Sequence, residues 1–149
     1  MILGKAMLAV VAAGGAAIVP HAGTFNGKTS QRGATYPVTF RVKGSQVKGD
    51  QILWRAHCAS HKILSRGTRQ GSSVIRIAHG RWSNSGRYTA KLPYAKGMTG
   101  QFHVITNSVR FVTPDRARGT WRLKAVLYIN AKRIDTCDTG RVTWTANRR

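Results

Sequence analysis

Hydrophobic residues recur at every second position along much of this chain. Val38, Phe40 and Val42 alternate with Thr39, Arg41 and Lys43, and Ile52, Trp54, Ala56 and Cys58 alternate with Leu53, Arg55 and His57. Further on, Trp121, Leu123, Ala125 and Leu127 are set against Arg122, Lys124, Val126 and Tyr128, and Val142, Trp144 and Ala146 against Arg141, Thr143 and Thr145. Successive side chains of a strand point to opposite faces, so each run predicts a β-strand with one face inward and the other in water. Shorter stretches around Ile75, Tyr88, Phe102 and Val109 follow the same rule.

Turn-forming residues punctuate these runs. Gly44-Ser45, Lys48-Gly49-Asp50, Thr106-Asn107-Ser108, Pro114-Asp115 and Asn130-Ala131-Lys132 read as turns, and Ser83-Asn84-Ser85-Gly86 reads as a hairpin connection between Trp82 and Tyr88. Ser65 to Ser72 reads as a polar, glycine-containing loop. With no amphipathic helical period after the first 22 residues, the expectation is an all-β fold: a single antiparallel barrel or sandwich of about eight strands.

The N-terminus follows a different rule. Lys5 precedes an uncharged apolar stretch of 14 residues, Ala6 to Val19, which ends in Pro20-His21-Ala22. A positive start, an apolar middle and a small-residue exit make up a secretory signal, and the apolar part is short for a bilayer span. The division expected is a signal-peptide helix at 1–22, an extended polar arm at 23–35 and a basic β domain at 36–149. Cleavage after Ala22 would place Pro20 third from the cut, whereas cleavage after Ala17 would use Gly15 and Ala17, so both sites stay open. The product is expected to be secreted or associated with the cell wall, with no stable membrane anchor after cleavage.

Export changes the meaning of the two cysteines. In an oxidising compartment Cys58 and Cys137 are expected to form one disulfide. They stand 79 positions apart, and closing so long a loop stabilises by roughly 4 to 5 kcal/mol through the unfolded state. The bridge is expected to fasten the last strand to the early part of the sheet.

Charge narrows the functional classes. There are 25 Lys and Arg against 4 acidic residues, giving a formal net charge of +21. Such a field attracts anionic wall polymers and nucleic acids. Arg81 and Arg87 around Trp82, with Arg118 and Arg122 around Trp121, are the candidate polyanion-binding residues, and Trp82, beside a turn, is the tryptophan expected at the surface. Trp54, Trp121 and Trp144 fall on apolar strand faces and belong to the core.

Enzymatic readings have little to work with. The acidic residues are Asp50, Asp115, Asp135 and Asp138, with Asp50 and Asp115 read as turn residues, and there is no glutamate to serve as a ribonuclease base. No Gly-x-Ser-x-Gly elbow is present. A secreted ribonuclease or phosphodiesterase using two of His57, His61, His79 and His103 stays open as an alternative. His57, Cys58 and His61 also have metal-ligand chemistry, but a disulfide at Cys58 removes the thiolate and leaves His57 and His61 as a weak pair, so no cofactor or metal is expected. A third alternative is a protein-binding or inhibitor module acting through loops such as Ser65 to Ser72.

Four segments carry a family resemblance: Gly27-Lys28-Thr29-Ser30-Gln31, Pro37 to Val42, Arg118-Gly119-Thr120-Trp121-Arg122, and Cys137-Asp138-Thr139-Gly140 running on to Val142-Thr143-Trp144-Thr145-Ala146. In this order they resemble a group of small secreted actinobacterial proteins of unknown function. The resemblance implies an exported β domain with one bridge, and it supplies no catalytic residue.

Overall fold

The computed structural model describes residues 17–32, 36–69 and 74–149. Among the described residues there are eleven β-strands and no helix, so the chain is all-β. In chain order they are β1 (Gly23–Thr29), β2 (Pro37–Lys43), β3 (Gln46–Cys58), β4 (Ile63–Arg69), β5 (Ile75–Arg76), β6 (Arg81–Ser83), β7 (Gly86–Lys91), β8 (Met98–Thr113), β9 (Arg116–Ile129), β10 (Lys132–Asp138) and β11 (Val142–Arg148). The first 16 residues of the expected signal helix lie outside the described residues.

The strands form one antiparallel sheet in the order β10-β3-β2-β1-β11-β9-β8-β6, with β4 and β5 added on β3 and β7 on β8. Because β10 also pairs with β9, the path from β3 to β9 returns on itself. This closure is uneven: β10 meets β9 along six register pairs but meets β3 at only Cys137↔Cys58 and Asp138↔His57. The result is a sheet closed at a narrow seam, not a clean barrel.

The alternating runs bury the faces they predict. Phe40, wholly buried, stacks on Phe25 with centroids 5.0 Å apart, meets Trp82 and Phe111 edge-on and lies against a tilted Trp144. A second cluster places Phe102 between a stacked Tyr88 at 4.9 Å and Trp54 at 6.1 Å. Each buried ring of this kind contributes on the order of 2 kcal/mol or more through removal of apolar surface from water.

Several expected turns are interruptions within strands. Lys48-Gly49-Asp50 lies inside β3, where Thr39 pairs with Gln51 but Arg41 pairs with Lys48, so two residues face one. Gly49, at φ 60°, supplies the left-handed residue that such a bulge requires, and Asp50 is turned inward rather than serving in a surface turn. Thr106-Asn107-Ser108 likewise does not reverse the chain: β8 runs straight through, pairing with β9 across a register shift after Val104. Nor does Ser83 to Gly86 close a hairpin. β6 and β7 both pair antiparallel with β8 and follow one another along it, so Asn84 and Ser85 merely interrupt one line of pairing.

Two further segments join the sheet. Ser65 to Arg69, expected as loop, belongs to β4, because the backbone of Ile63–Arg69 satisfies its hydrogen bonds on β3 from Gln51 to His57. Residues 70–72 of that expected loop lie outside the described residues. The expected polar arm supplies β1, which lies between β2 and β11 in the middle of the path. Asn130-Ala131 does turn the chain as expected, with both residues at positive φ between Ile129 and Lys132.

The Cys58–Cys137 disulfide is present. Its cysteines are directly opposed register partners, so it reinforces the narrow contact of β10 with β3. The last strand, β11, needs no such fastening, being paired with β1 on one side and β9 on the other.

Candidate polyanion-binding groove

Four neighbouring strands, β6, β8, β9 and β11, put their side chains in register across the sheet. Trp82, Val109, Gly119 and Trp144 form one cross-strand row and face the core. Residues on either side of that row must face out, since side-chain direction alternates along every strand. On one side the outward row is Arg81, Arg110, Arg118 and Thr145, and on the other it is Ser83, Ser108, Thr120 and Thr143. Both rows line a shallow groove of about 1250 Å³, whose rim adds Arg76 from β5 and Arg141 just before β11.

Adjacent strands lie about 4.8 Å apart, so three guanidinium-bearing residues occupy consecutive rungs within roughly 10 Å. Like charges directly opposed across strands are destabilising, and an acidic neighbour is the usual remedy. None is present. Every acidic residue of the chain is engaged elsewhere: Asp50 with Asn107, Asp115 with Arg148 and His21, Asp135 with Ser60, and Asp138 with Arg122. The groove therefore presents uncompensated positive charge in the planar, forked form that suits phosphate and carboxylate oxygens.

Of the residues singled out from sequence, Arg81, Trp82 and Arg118 meet in this groove, while Arg87 and Arg122 do not. Arg122 makes a two-pronged ion pair with Asp138, through Nη2 at 2.8 Å and Nε at 3.3 Å, which holds the Asp138 carboxyl below its ordinary range. Trp82 departs from expectation in another way. It is 4% exposed, packed edge-on against Phe40, because the short β6 turns its middle residue inward. Sequence reasoning missed Arg76, Arg110 and Arg141 and the hydroxyl row. The outward parity of Arg110 could be read from Val109 and Phe111, but its neighbours lie on other strands.

Arg87 lines a second, smaller cavity of about 250 Å³ together with Asp50, Thr68, Tyr88, Asn107 and Trp121. Asn107 Nδ2 donates to Asp50 Oδ2 at 3.1 Å, and burial pushes the Asp50 carboxyl up despite that bond. Thr68 Oγ1 accepts from Trp54 Nε1 at 2.9 Å and lies 2.6 Å from the Tyr88 hydroxyl, whose own pKa burial also raises. Among the described residues, Asp50 is the one carboxylate lining this cavity.

The histidines are dispersed. His57 is near the end of β3, His61 and His79 sit exposed at positive φ in separate turns, and His103 is in the middle of β8 beside Arg87 and Lys124. The only convergent trio of metal-ligand residue types among the described residues is Cys58, Asp135 and Cys137, and both sulfurs are committed to the disulfide. Near the N-terminus, Ile18 packs against the core, and His21 donates its backbone N–H to Pro114 O and sets its Nδ1 2.8 Å from Asp115. Among the described residues, no helix is long and apolar enough to cross a membrane. No protein-family model, curated protein or solved structure matches the chain.

Proposed function

We propose that this protein is a secreted or wall-associated, non-enzymatic β domain that binds anionic polymers through the groove of β6, β8, β9 and β11. The observation that carries this reading is the row Arg81, Arg110 and Arg118: three positive residues on adjacent rungs with no carboxylate beside them. An anionic chain laid along the row would relieve their mutual repulsion and release its own counterions. Export is supported by the disulfide, which needs an oxidising compartment, and by the signal-like N-terminus.

The test is retention on immobilised cell-wall polymer and on nucleic acid as salt is raised. Retention should fall steeply, and the triple variant R81A/R110A/R118A should flatten the dependence of log K on log salt by about 2 to 3 in slope. The control variant K43A/K62A/R133A removes three exposed basic residues away from the groove and should change the slope less. Retention indifferent to salt, or lost equally in both variants, would remove the groove from the account.

A further inference from the structure

We infer that the polymer recognised is a linear polyanion carrying free hydroxyls between its charges, of the kind made by polyol phosphates and uronate glycans, and not a nucleic acid. This rests on the polyanion-binding reading above and specifies its ligand.

The inference comes from the two outward rows taken together. Beside the arginines, Ser83, Ser108, Thr120 and Thr143 place four hydroxyls on consecutive rungs of the same four strands. None of these hydroxyls is hydrogen-bonded to another side chain among the described residues, although Ser and Thr hydroxyls both donate and accept. The rows are two residues apart along each strand, roughly 7 Å, with only the inward-facing row between them. A chain running across the strands can thus set its anionic oxygens on the guanidinium row while its hydroxyls reach the Ser/Thr row.

Nucleic acid recognition calls for different surroundings. Single strands are held by aromatic faces on which bases stack. The one aromatic that lines the groove among the described residues, Trp82, is turned into the core against Phe40 and offers no face to a base. Nor, among the described residues, is there a helix to enter a duplex groove. Charge attracts any polyanion; the hydroxyl row discriminates against those without free hydroxyls, and the buried Trp82 discriminates against RNA, whose 2′-hydroxyl the row alone would accept.

The experiment measures binding of the disulfide-intact chain to four probes at matched charge concentration: poly(glycerol phosphate), polygalacturonate, inorganic polyphosphate and poly(dT); poly(U) is measured alongside them. The two hydroxylated polymers should bind about tenfold or more tightly than the other two, a difference that a few hydrogen bonds supply. Their relative order tells whether phosphate or carboxylate is the preferred anion. The variant S83A/S108A/T120V/T143V should erase the preference and leave polyphosphate binding unchanged. Equal binding of all four probes, abolished by R81A/R110A/R118A, would overturn this inference and leave the polyanion reading standing. Tighter binding of poly(dT), or binding of its 2′-hydroxylated counterpart poly(U) as tight as that of the two hydroxylated polymers, would overturn it in favour of nucleic acid, and no binding of any probe would overturn both. The wild-type comparison decides the matter even if the hydroxyl variant does not fold.

Discussion

The indole of Trp144 lies directly over Gly119, its register partner on β9: a Cβ built on Gly119 would sit 2.6 Å from Trp144 Nε1 and closer still to Cε2 and Cζ2. Glycine is required here for space and not for backbone conformation. Gly119→Ala is expected to destabilise the protein by about 2 kcal/mol, since overpacking must displace either the indole or the strand. Urea unfolding followed by tryptophan fluorescence reads the effect. Gly86→Ala is the control, since nothing lies within 4 Å of a Cβ there, and it should stay within about 0.5 kcal/mol of the parent. Equal costs for the two would contradict the packing described.

Arg110 stands between Arg81 and Arg118 on adjacent strands. Arg110→Thr should raise stability by a few tenths of a kcal/mol at low salt while weakening polymer binding. The stability gain should vanish near 1 M salt, where charges are screened beyond about 3 Å. A loss of stability at low salt would show that the arginine row is not under repulsion.

Asp50 titrates against the trend of the other carboxylates. Burial raises its pKa above the ordinary 3.8, so the folded protein keeps this proton to higher pH than the unfolded chain does. The associated stability is complete below the unfolded value and is lost as pH rises through the folded value. Asp115, Asp135 and Asp138 are lowered, chiefly by Arg148, the Ser60 hydroxyl and Arg122 respectively, so their contribution is present above the unfolded value and lost as pH falls through the folded one. Asp50→Asn should therefore raise Tm at pH 7 and lose that advantage as pH falls below the ordinary carboxylate value. A gain that persists in acid would mean that Asp50 costs stability for some reason other than its charge.

Reducing the Cys58–Cys137 bridge should cost about 2 to 5 kcal/mol. The loss should be local first, because β10 has only two register pairs on β3 to hold the seam once the sulfurs part. Hydrogen exchange at Ala59, whose N–H bonds Thr136 O across the seam, should rise before exchange in β11, which keeps β1 and β9 on its flanks. Simultaneous loss of protection throughout would show that the seam is not separable from the rest of the sheet.

On the proposed export, cleavage after Ala17 would keep the packing of Ile18 and the contacts of His21 with Pro114 and Asp115, whereas cleavage after Ala22 would remove both residues. Intact-mass measurement of exported protein should give a chain beginning at Ile18. A chain beginning at Gly23 would show that these contacts are absent from the mature form.

Strand parity was legible in the chain along the long alternating runs. Trp54, Trp121, Leu123, Val142 and Trp144 all face the core as their spacing requires, because a strand turns successive side chains to opposite sides whatever it is paired with. Interruptions were harder to interpret. Gly49-Asp50 has the residue types of a turn and is a bulge within β3, and Asn107, equally turn-like, is a regularly paired residue of β8 just past the register shift at Ile105, since the same small and polar residues serve turns and strand interruptions alike. Only a continuing partner strand separates the two.

The sequence by itself determined the all-β class, the inward faces, the single cystine and the excess of positive charge, because each depends on local alternation or on composition. Tertiary structure alone decided which outward residues became neighbours. Arg81, Arg110 and Arg118 are separated by up to 37 positions in the chain and stand on consecutive rungs only through the register of β6, β8 and β9. That register is set by hydrogen bonds and core packing between distant segments, and no short stretch of chain carries it. Trp82 shows the same division: its neighbours in sequence suggest a surface turn, whereas the pairing of β6 with β8 buries it beneath the groove.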